Sequence, residues 1–90
     1  MKIMTGIDLH SNNVLCGLMD ENGKRIQHKK LPCDLSAILQ LLAPYKDRIA
    51  TVAIESTYNW YWLADGLRDH GYNVVLANPA PEHPAHRPSL

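Results

Sequence analysis

The chain carries no excess of either charge and no long apolar run. Lysine plus arginine and aspartate plus glutamate number nine each in its 90 residues. This balance excludes a protein that attracts nucleic acid or a membrane through its overall charge, so such a partner must meet a local patch. No apolar run approaches the roughly 20 residues that a membrane-spanning helix needs. We therefore expect a soluble protein, and 90 residues allow one small domain.

Cysteine is scarce, and the sequence argues both against a zinc or redox site and against a disulfide. Cys16 and Cys33 are the two cysteines and do not form a CxxC motif, which is the spacing of many zinc and redox sites. No signal peptide precedes them, which argues against a secreted protein with a disulfide. The sequence predicts a cytoplasmic protein in which both thiols are reduced and packed in the interior.

Alternating apolar residues in the first third of the chain predict three β-strands. They cover residues 2–9, 12–20 and 23–31. In the first strand Ile3 and Ile7 fall on one face, whereas Asp8 falls on the other. Asn22-Gly23, between the second and third strands, is typical of a two-residue hairpin turn with positive φ at both positions. The opening segment is therefore predicted to be an antiparallel meander.

Between residues 34 and 44 the apolar period changes from two to the helical period. The apolar residues recur at i, i+3, i+4 and i+7, namely Leu35, Ile38, Leu39 and Leu42. Asp34 is the predicted N-cap and Pro44 lies near the predicted end, so a first helix should lie between them.

The rest of the chain predicts two strands around a second helix. Short apolar strands over residues 51–56 and 72–78 flank a helix over residues 56–71. The apolar stripe of this helix consists of Trp60, Leu63, Ala64 and Leu67. Gly71 is its predicted C′ residue, since glycine often ends a helix there.

The predicted order β-β-β-α-β-α-β determines the sheet topology. The meander leaves one side of its first strand free, and the first helix returns the chain parallel to that strand. The strand order 3-2-1-4-5 follows. Because both crossovers run in the same direction, right-handed connections place both helices on one face of the sheet. A parallel sheet needs cover on both faces, so the predicted fold class is an α/β mixed sheet that lacks a later helical layer.

Asp8 and Glu55 end two strands that are neighbours in this order. Neighbouring strands lie about 4.8 Å apart, so both carboxylates meet at a sheet edge where open α/β sheets bind ligands. Close carboxylates repel unless a cation lies between them, and their oxygens suit Mg²⁺ or Mn²⁺. The sequence thus predicts a metal site. Taken singly, Asp8 is also explained by capping the next turn, and Glu55 by preceding the second helix.

Three segments together resemble a known family: GIDLHSNN (6–13), AIESTYNWYWLADGL (53–67) and YNVVLANP (72–79). They are similar to the N-terminal RuvC-like domain of DEDD transposases from insertion sequences whose recombinases work with a structured guide RNA. The resemblance implies an RNase H-like fold, a divalent metal held by a D-E-D-D tetrad, and cleavage and transfer of DNA strands. Asp8 matches the first aspartate of the tetrad and Glu55 its glutamate, so the resemblance implies a catalytic, metal-binding role for both.

The resemblance covers about residues 3–79 and then stops. In the family a helix with two further aspartates follows, and then a separate domain with a catalytic serine. Here the sequence continues as APEHPAHRPSL, with no aspartate after Asp69. We therefore expect a partial domain over residues 1–79, inactive by itself, followed by a disordered proline-rich tail over residues 80–90.

Two further features are candidate nucleic-acid contacts. The third strand is basic, and its cations form a candidate phosphate track: Lys24, Arg25, Lys29 and Lys30. An edge strand whose charge prevents edge-to-edge pairing explains them equally well. Tyr58 and Trp62 are candidates for stacking on bases near the metal, whereas Trp60 is expected to lie in the core.

Three functions stay open at this point. The first is a transposase fragment that keeps half of a Mg²⁺ site, in a family that acts on DNA and guide RNA. The second is a non-enzymatic remnant that binds nucleic acid, a homologue or a second copy through the uncovered face. The third is a lobe of an actin-like or sugar-kinase-like ATPase. Its phosphate-binding hairpin needs a glycine after the first aspartate, and LHSN follows Asp8 here.

Overall fold

The computed structural model describes residues 2–56 and 59–77. The strands are β1 (Ile3–Leu9), β2 (Asn13–Asp20), β3 (Arg25–Pro32), β4 (Ile49–Glu55) and β5 (Val74–Leu76). The α-helices are α1 (Leu35–Leu42), which continues into a 3-10 helix (Ala43–Arg48), and α2 (Tyr61–Asp69). The predicted boundary at residue 79 and the tail over residues 80–90 lie outside the described residues. Among the helices described, none is long and apolar enough to cross a membrane.

The five strands form one mixed sheet in the order β3-β2-β1-β4-β5, which confirms the predicted topology. β1 pairs antiparallel with β2, and β2 pairs antiparallel with β3. β4 is parallel to both β1 and β5. Helix α1 lies in the connection from β3 to β4, and α2 lies in the connection from β4 to β5. The chain therefore has the predicted meander followed by two helical crossovers.

One face of the sheet packs against helices, and the other face is exposed. One face packs on both helices, and the largest buried side chains of this core include Ile3, Ile7, Leu18, Ile38, Leu42, Ile54, Leu63 and Leu67. Each such burial stabilises the fold by about 1.5–3 kcal/mol. Within the described residues no helix covers the opposite face, where Met4 is 57% and Met19 46% exposed. We call it the open face, and its residues in β1 are Met4, Gly6 and Asp8.

Helix α1 begins and ends as its sequence predicts. Asp34 is the N-cap, and its Oδ2 atom accepts a hydrogen bond from the N–H of Ala37 at 3.3 Å. This bond satisfies one of the amides that a first helical turn leaves without a partner. The α-helix ends at Leu42, and Pro44 lies in the first turn of the 3-10 helix, where it has no N–H to continue the α-helical hydrogen bonds.

The hairpin between β2 and β3 is confirmed, but its turn is not the predicted two-residue turn. The N–H of Gly23 donates to the carbonyl of Asp20 at 3.0 Å, which makes Glu21 and Asn22 the central residues. Gly23 has a φ of +83°, which glycine adopts without strain. The carboxylate of Asp20 accepts from the N–H groups of Asn22 and Lys24, both at 2.9 Å. These bonds stabilise the longer turn.

Helix α2 begins at Tyr61 and not at Ser56 as predicted. The Oδ1 atom of Asn59 accepts from the N–H of Tyr61 at 3.2 Å, a local bond that competes with an earlier helical start. The end of the helix is as predicted, because Gly71 has a φ of +88° and follows the last turn.

Both cysteines are free, as predicted, but only one is packed. Cys16 is buried in the core, and this burial raises the pKa of its thiol to about 11. Cys33 is exposed, and its thiol donates to the carbonyl of His10 at 3.6 Å. The prediction that both thiols pack in the interior is wrong for Cys33, because this residue lies in the surface connection between β3 and α1.

Candidate metal centre

Asp8 of β1 and Glu55 of β4 are direct neighbours in the sheet. The parallel register pairs Asp8 with Glu55 and, one residue earlier, Ile7 with Ile54. Ile7 and Ile54 are buried against the helices, so strand alternation places both carboxylates on the open face. Adjacent strands lie about 4.8 Å apart. The two acids are thus adjacent, as the predicted topology requires.

The two acids lie where the chain leaves the sheet in opposite directions. After β1 the chain turns back into β2, and the N–H of His10 donates to the carbonyl of Asn13 at 2.9 Å. After Glu55 the chain continues towards α2. This edge is a topological switch point, where open α/β sheets bind their ligands.

Asp8 contacts a histidine that the sequence analysis did not select. The Nε2 atom of His10 lies 3.3 Å from Oδ2 of Asp8. Both side chains are about half exposed, so water screens the contact and it stabilises the fold little. The spacing of Asp8 and His10 in the sequence already indicates this contact, because side chains at positions i and i+2 of an extended chain point the same way.

The open face is hollow beside the carboxylates. Gly6 of β1 pairs with Gly17 of β2 on one side and with Ala53 of β4 on the other. These small residues line an open depression of about 250 Å³, together with Asp8 and Glu55. A methyl group built on Gly6 would meet no atom within 4 Å. The depression therefore has room for a hydrated ion or a phosphate group beside the acids.

The chemistry of the two acids fits a hard divalent cation. Mg²⁺ keeps several waters and is often held in proteins by one or two carboxylates together with substrate phosphates. Asp8 and Glu55 supply two such carboxylates. Across residues 2–56 and 59–77, no group of three or more His, Cys, Asp or Glu side chains is arranged to hold a metal ion. The site as described thus offers a two-carboxylate ligand set.

The basic residues of β3 are divided between the two faces of the sheet. The register pairs Arg25 and Lys30 with open-face residues of β2, but it pairs Lys29 with the buried Cys16. Lys24 lies in the hairpin turn before β3. Strand alternation therefore divides the candidate cations between the two faces, and their contact with phosphate stays a prediction. Arg25 and Lys30 share the face of the carboxylates.

The aromatic residues at the start of α2 contact the core and one another. Trp62 is half-buried and packs against the core, as does Trp60. Tyr61 is exposed and stacks on Trp60 with ring centroids 4.4 Å apart. Stacking of Trp62 on a base near the metal stays a prediction. Tyr58, the other predicted stacking residue, lies outside the described residues.

Comparison with solved structures identifies the fold. T. thermophilus RuvC, in complex with a Holliday junction substrate, matches with a TM-score of 0.70 and 11% identity, over 88% of this chain and 66% of RuvC. Lmo2764, a putative N-acetylmannosamine kinase from Listeria monocytogenes, matches with a TM-score of 0.56 and 15% identity, over 84% of this chain and 35% of the kinase. Marinitoga piezophila Argonaute, in complex with a guide RNA, matches with a TM-score of 0.52 and 13% identity, over 86% of this chain and 16% of Argonaute.

These likenesses show the fold alone, since all three identities are low. The chain spans slightly less than two thirds of the RuvC chain and a smaller share of the other two. The RuvC match confirms the predicted RNase H-like, RuvC-like mixed sheet.

Comparison with protein families tests whether the chain belongs to a known family. No curated protein matches the chain. The sequence model of a transposase family, DEDD_Tnp_IS110, matches residues 5–87. The match includes Asp8 and Glu55 and continues past Pro79, where the predicted domain ends. Because it spans most of the 90 residues, this RuvC-like chain belongs to the DEDD_Tnp_IS110 family of transposases.

Proposed function

We propose that the chain contains the N-terminal part of a transposase nuclease domain that cuts and transfers DNA strands with a divalent metal ion. The pairing of Asp8 with Glu55 at the switch point of a RuvC-like sheet carries this proposal. By resemblance to DEDD transposases, these residues match the first aspartate and the glutamate of the metal-binding tetrad. Their proposed catalytic role is to bind the ion, Mg²⁺ or Mn²⁺.

The residues around the two carboxylates have separate tasks in this proposal. When bound, the ion would act as a Lewis acid towards a DNA phosphate and would activate a water molecule. Asp8 and Glu55 would hold it from the side of the sheet and leave its outer positions to water and phosphate. Gly6 and Ala53 leave space for that phosphate. His10, in contact with Asp8, would orient the carboxylate.

We further propose that the 90 residues by themselves bind the ion weakly and do not cut DNA. Two-metal cleavage of a phosphodiester needs ligands on both sides of the attacked phosphate. Within this sequence, Asp8 and Glu55 match two of the four tetrad positions of the family. Activity on DNA, with a guide RNA and in the cytoplasm, is thus proposed for the intact family protein.

Binding of nucleic acid without catalysis is the alternative function. Arg25 and Lys30 support it, because they lie on the same open face of the sheet as the carboxylates. An ATPase lobe has less support, although the putative kinase Lmo2764 shares the fold. Its phosphate-binding hairpin requires glycine, and the turn from His10 to Asn13 contains none.

Titration of the 90-residue chain with Mn²⁺, followed by electron paramagnetic resonance, tests the metal centre. We expect weak, saturable binding by the wild-type chain. Asp8→Asn and Glu55→Gln should each weaken it by at least about tenfold, since loss of even an outer-shell partner has that effect. Asp65→Asn is the matched control, because Asp65 is exposed on α2, on the other side of the sheet. Equal binding by the wild-type and Asp8→Asn chains would overturn the metal centre.

Incubation with duplex DNA and Mg²⁺ tests the expected inactivity. We expect no cleavage by the 90-residue chain. Cleavage that Asp8→Asn abolishes would contradict this expectation and show that other groups supply the missing ligands. DNA binding that depends on Arg25 and Lys30, together with no Mn²⁺ binding, would favour the non-enzymatic alternative.

A further inference from the structure

We propose that a cavity at the end of the sheet opposite the metal centre binds a nucleotide through its phosphate, either free or as one unit of a single strand of nucleic acid. We call it the hairpin cavity, because it lies between residues 20–26 of the β2–β3 hairpin and residues 45–48 of the 3-10 helix, beside Ile3. Ile3 and Asp8 are five residues apart on β1, which is roughly 17 Å along the strand. The cavity measures about 330 Å³, the size at which small-molecule sites begin.

The 3-10 helix brings a tyrosine and an arginine to the same side of the cavity. With three residues per turn, side chains at positions i and i+3 lie in line, so Tyr45 and Arg48 both line it. Lys46 points elsewhere, since its Nζ atom lies over the ring of Tyr72, 5.3 Å from the centroid. Tyr45 is half-buried against the core, whereas Arg48 is exposed. The helix thus presents a ring fixed by packing beside an exposed cation.

The hairpin contributes an apolar residue and two further cations. The register of β2 with β3 shifts between Leu18 and Met19, and the pairing skips Ile26. A bulge of this kind re-aims a side chain, and Ile26 packs against the core and lines the cavity. Lys24 and Arg25, which precede it, also line the cavity. Cations from two separate segments therefore meet at one place, beside an apolar wall made of Ile26 and the ring on the 3-10 helix.

The lining carries three cations and one acid, so it attracts an anion. The acid is Asp20, whose Oδ1 atom already accepts from the N–H groups of Asn22 and Lys24. In the described part of the chain, no carboxylate forms an ion pair with Lys24, Arg25 or Arg48. Like charges held close together repel. An anion bound among the three cations would relieve this repulsion.

A phosphate joined to an apolar group suits this lining. A phosphate presents several acceptor oxygens at one point, and an arginine can bind two of them at once. The exposed parts of Ile26 and Tyr45 form the wall beside the cations, where a base can stack on the tyrosine ring. An acidic peptide spreads its charge over separate carboxylates and matches three cations at one cavity less well. A nucleotide uses both the cations and the apolar wall.

Fluorescence anisotropy of a labelled single-stranded decathymidylate, titrated with the 90-residue chain in EDTA, tests the hairpin cavity. No metal is bound in EDTA, so the result is independent of the proposed metal centre. Lys24→Gln and Arg48→Gln should each weaken binding by about fivefold, the upper range for an exposed charge contact. Each should also flatten the dependence of log Kd on log salt by about 0.7, because one phosphate contact is lost. Arg25 stays unchanged, since it also lines a hollow of the open face.

Lys30→Gln is the matched control. Lys30 is also an exposed cation of β3, but it pairs with Leu15 on the open face, near the other end of the strand. At 0.15 M salt, charges more than about 8 Å apart are largely screened, so this variant should bind almost as the wild-type chain does. Equal weakening by Lys30→Gln and Lys24→Gln would place the strand on the open face and overturn the hairpin cavity.

Competition with small anions distinguishes the sources of the phosphate. Displacement of the decathymidylate by AMP would assign the cavity to a free nucleotide, whereas binding that AMP does not displace would assign it to a strand. Both results support the proposal if Lys24→Gln and Arg48→Gln weaken the binding. Displacement by inorganic phosphate or by hexaglutamate at the same concentration as by AMP would overturn it, because the apolar wall would then make no contribution.

Two further results would overturn the proposal. The first is a chain that binds neither decathymidylate nor AMP up to millimolar concentration. The second is binding that Lys24→Gln and Arg48→Gln leave unchanged. Both target residues are exposed, and circular dichroism of each variant checks that it is folded.

Discussion

Asp8 on β1 and Glu55 on β4 are paired residue to residue in a parallel ladder, so two negative charges share one edge of the sheet. Repulsion between them destabilises the metal-free fold. We expect Asp8→Asn to raise the free energy of unfolding in EDTA at pH 7 by up to about 1 kcal/mol, the usual size of such a cross-strand effect. Loss of the exposed contact with His10 offsets little of this gain. Urea unfolding of both proteins measures the difference.

Added Mg²⁺ should reverse which of the two chains, wild-type or Asp8→Asn, has the higher free energy of unfolding. The reason is that an ion that binds only the folded state stabilises it. The wild-type chain should gain stability with Mg²⁺ concentration, and Asp8→Asn should gain less. A lower stability of Asp8→Asn in EDTA would show that the contact with His10 outweighs the repulsion from Glu55.

Thr5 is a buried polar residue in the core, at 3% exposure, and its hydroxyl makes no hydrogen bond within the described residues. A buried polar group without a partner costs about 1–3 kcal/mol. Valine has nearly the same shape, so Thr5→Val should raise the free energy of unfolding by about 1 kcal/mol. Thr5→Ala is the comparison, because it also removes a methyl group and leaves a cavity. Unchanged or reduced stability of Thr5→Val would mean that the hydroxyl is satisfied.

The N-cap of α1 should contribute measurably to stability. Asp34→Ala removes the acceptor of the Ala37 N–H and should lower the free energy of unfolding by about 1 kcal/mol. Asp34→Asn keeps an acceptor and should lose much less. Equal losses in the two variants, measured by urea unfolding, would show that the negative charge of Asp34 and not its hydrogen bond stabilises the helix.

Burial of Cys16 predicts a loss of stability at high pH. The pKa of its thiol rises from 9.0 to about 11 in the folded chain, so above pH 9 the unfolded thiol ionises while the folded one stays neutral. Ionisation then favours the unfolded state, so the contribution of Cys16 to the free energy of unfolding falls between pH 9 and pH 11. The difference in free energy of unfolding between the wild-type chain and Cys16→Ala should therefore shrink over this range. A constant difference would show that the folded thiol ionises normally.

Much of the fold can be predicted from the sequence because it depends on residues close together in the chain. Alternation assigned Ile7 and Asp8 to opposite faces of β1, and the helical period identified α1. Asp34 caps that helix through a bond to a residue three positions away. The strand order needed only the element order and the handedness of crossovers, and it placed Asp8 beside Glu55.

The remaining details depend on contacts that local patterns do not specify. The register of β2 with β3 shifts between Leu18 and Met19, so the chain pattern alone does not show that Lys30 shares the face of the acids while Lys29 does not. The start of α2 depends on the bond of Asn59, which competes with a start at Ser56. Periodicity and capping act within a few residues, whereas register, turn geometry and the shared open face arise from packing between strands far apart in the chain. For that reason the two carboxylates were predictable from the sequence, but their surroundings required the tertiary structure.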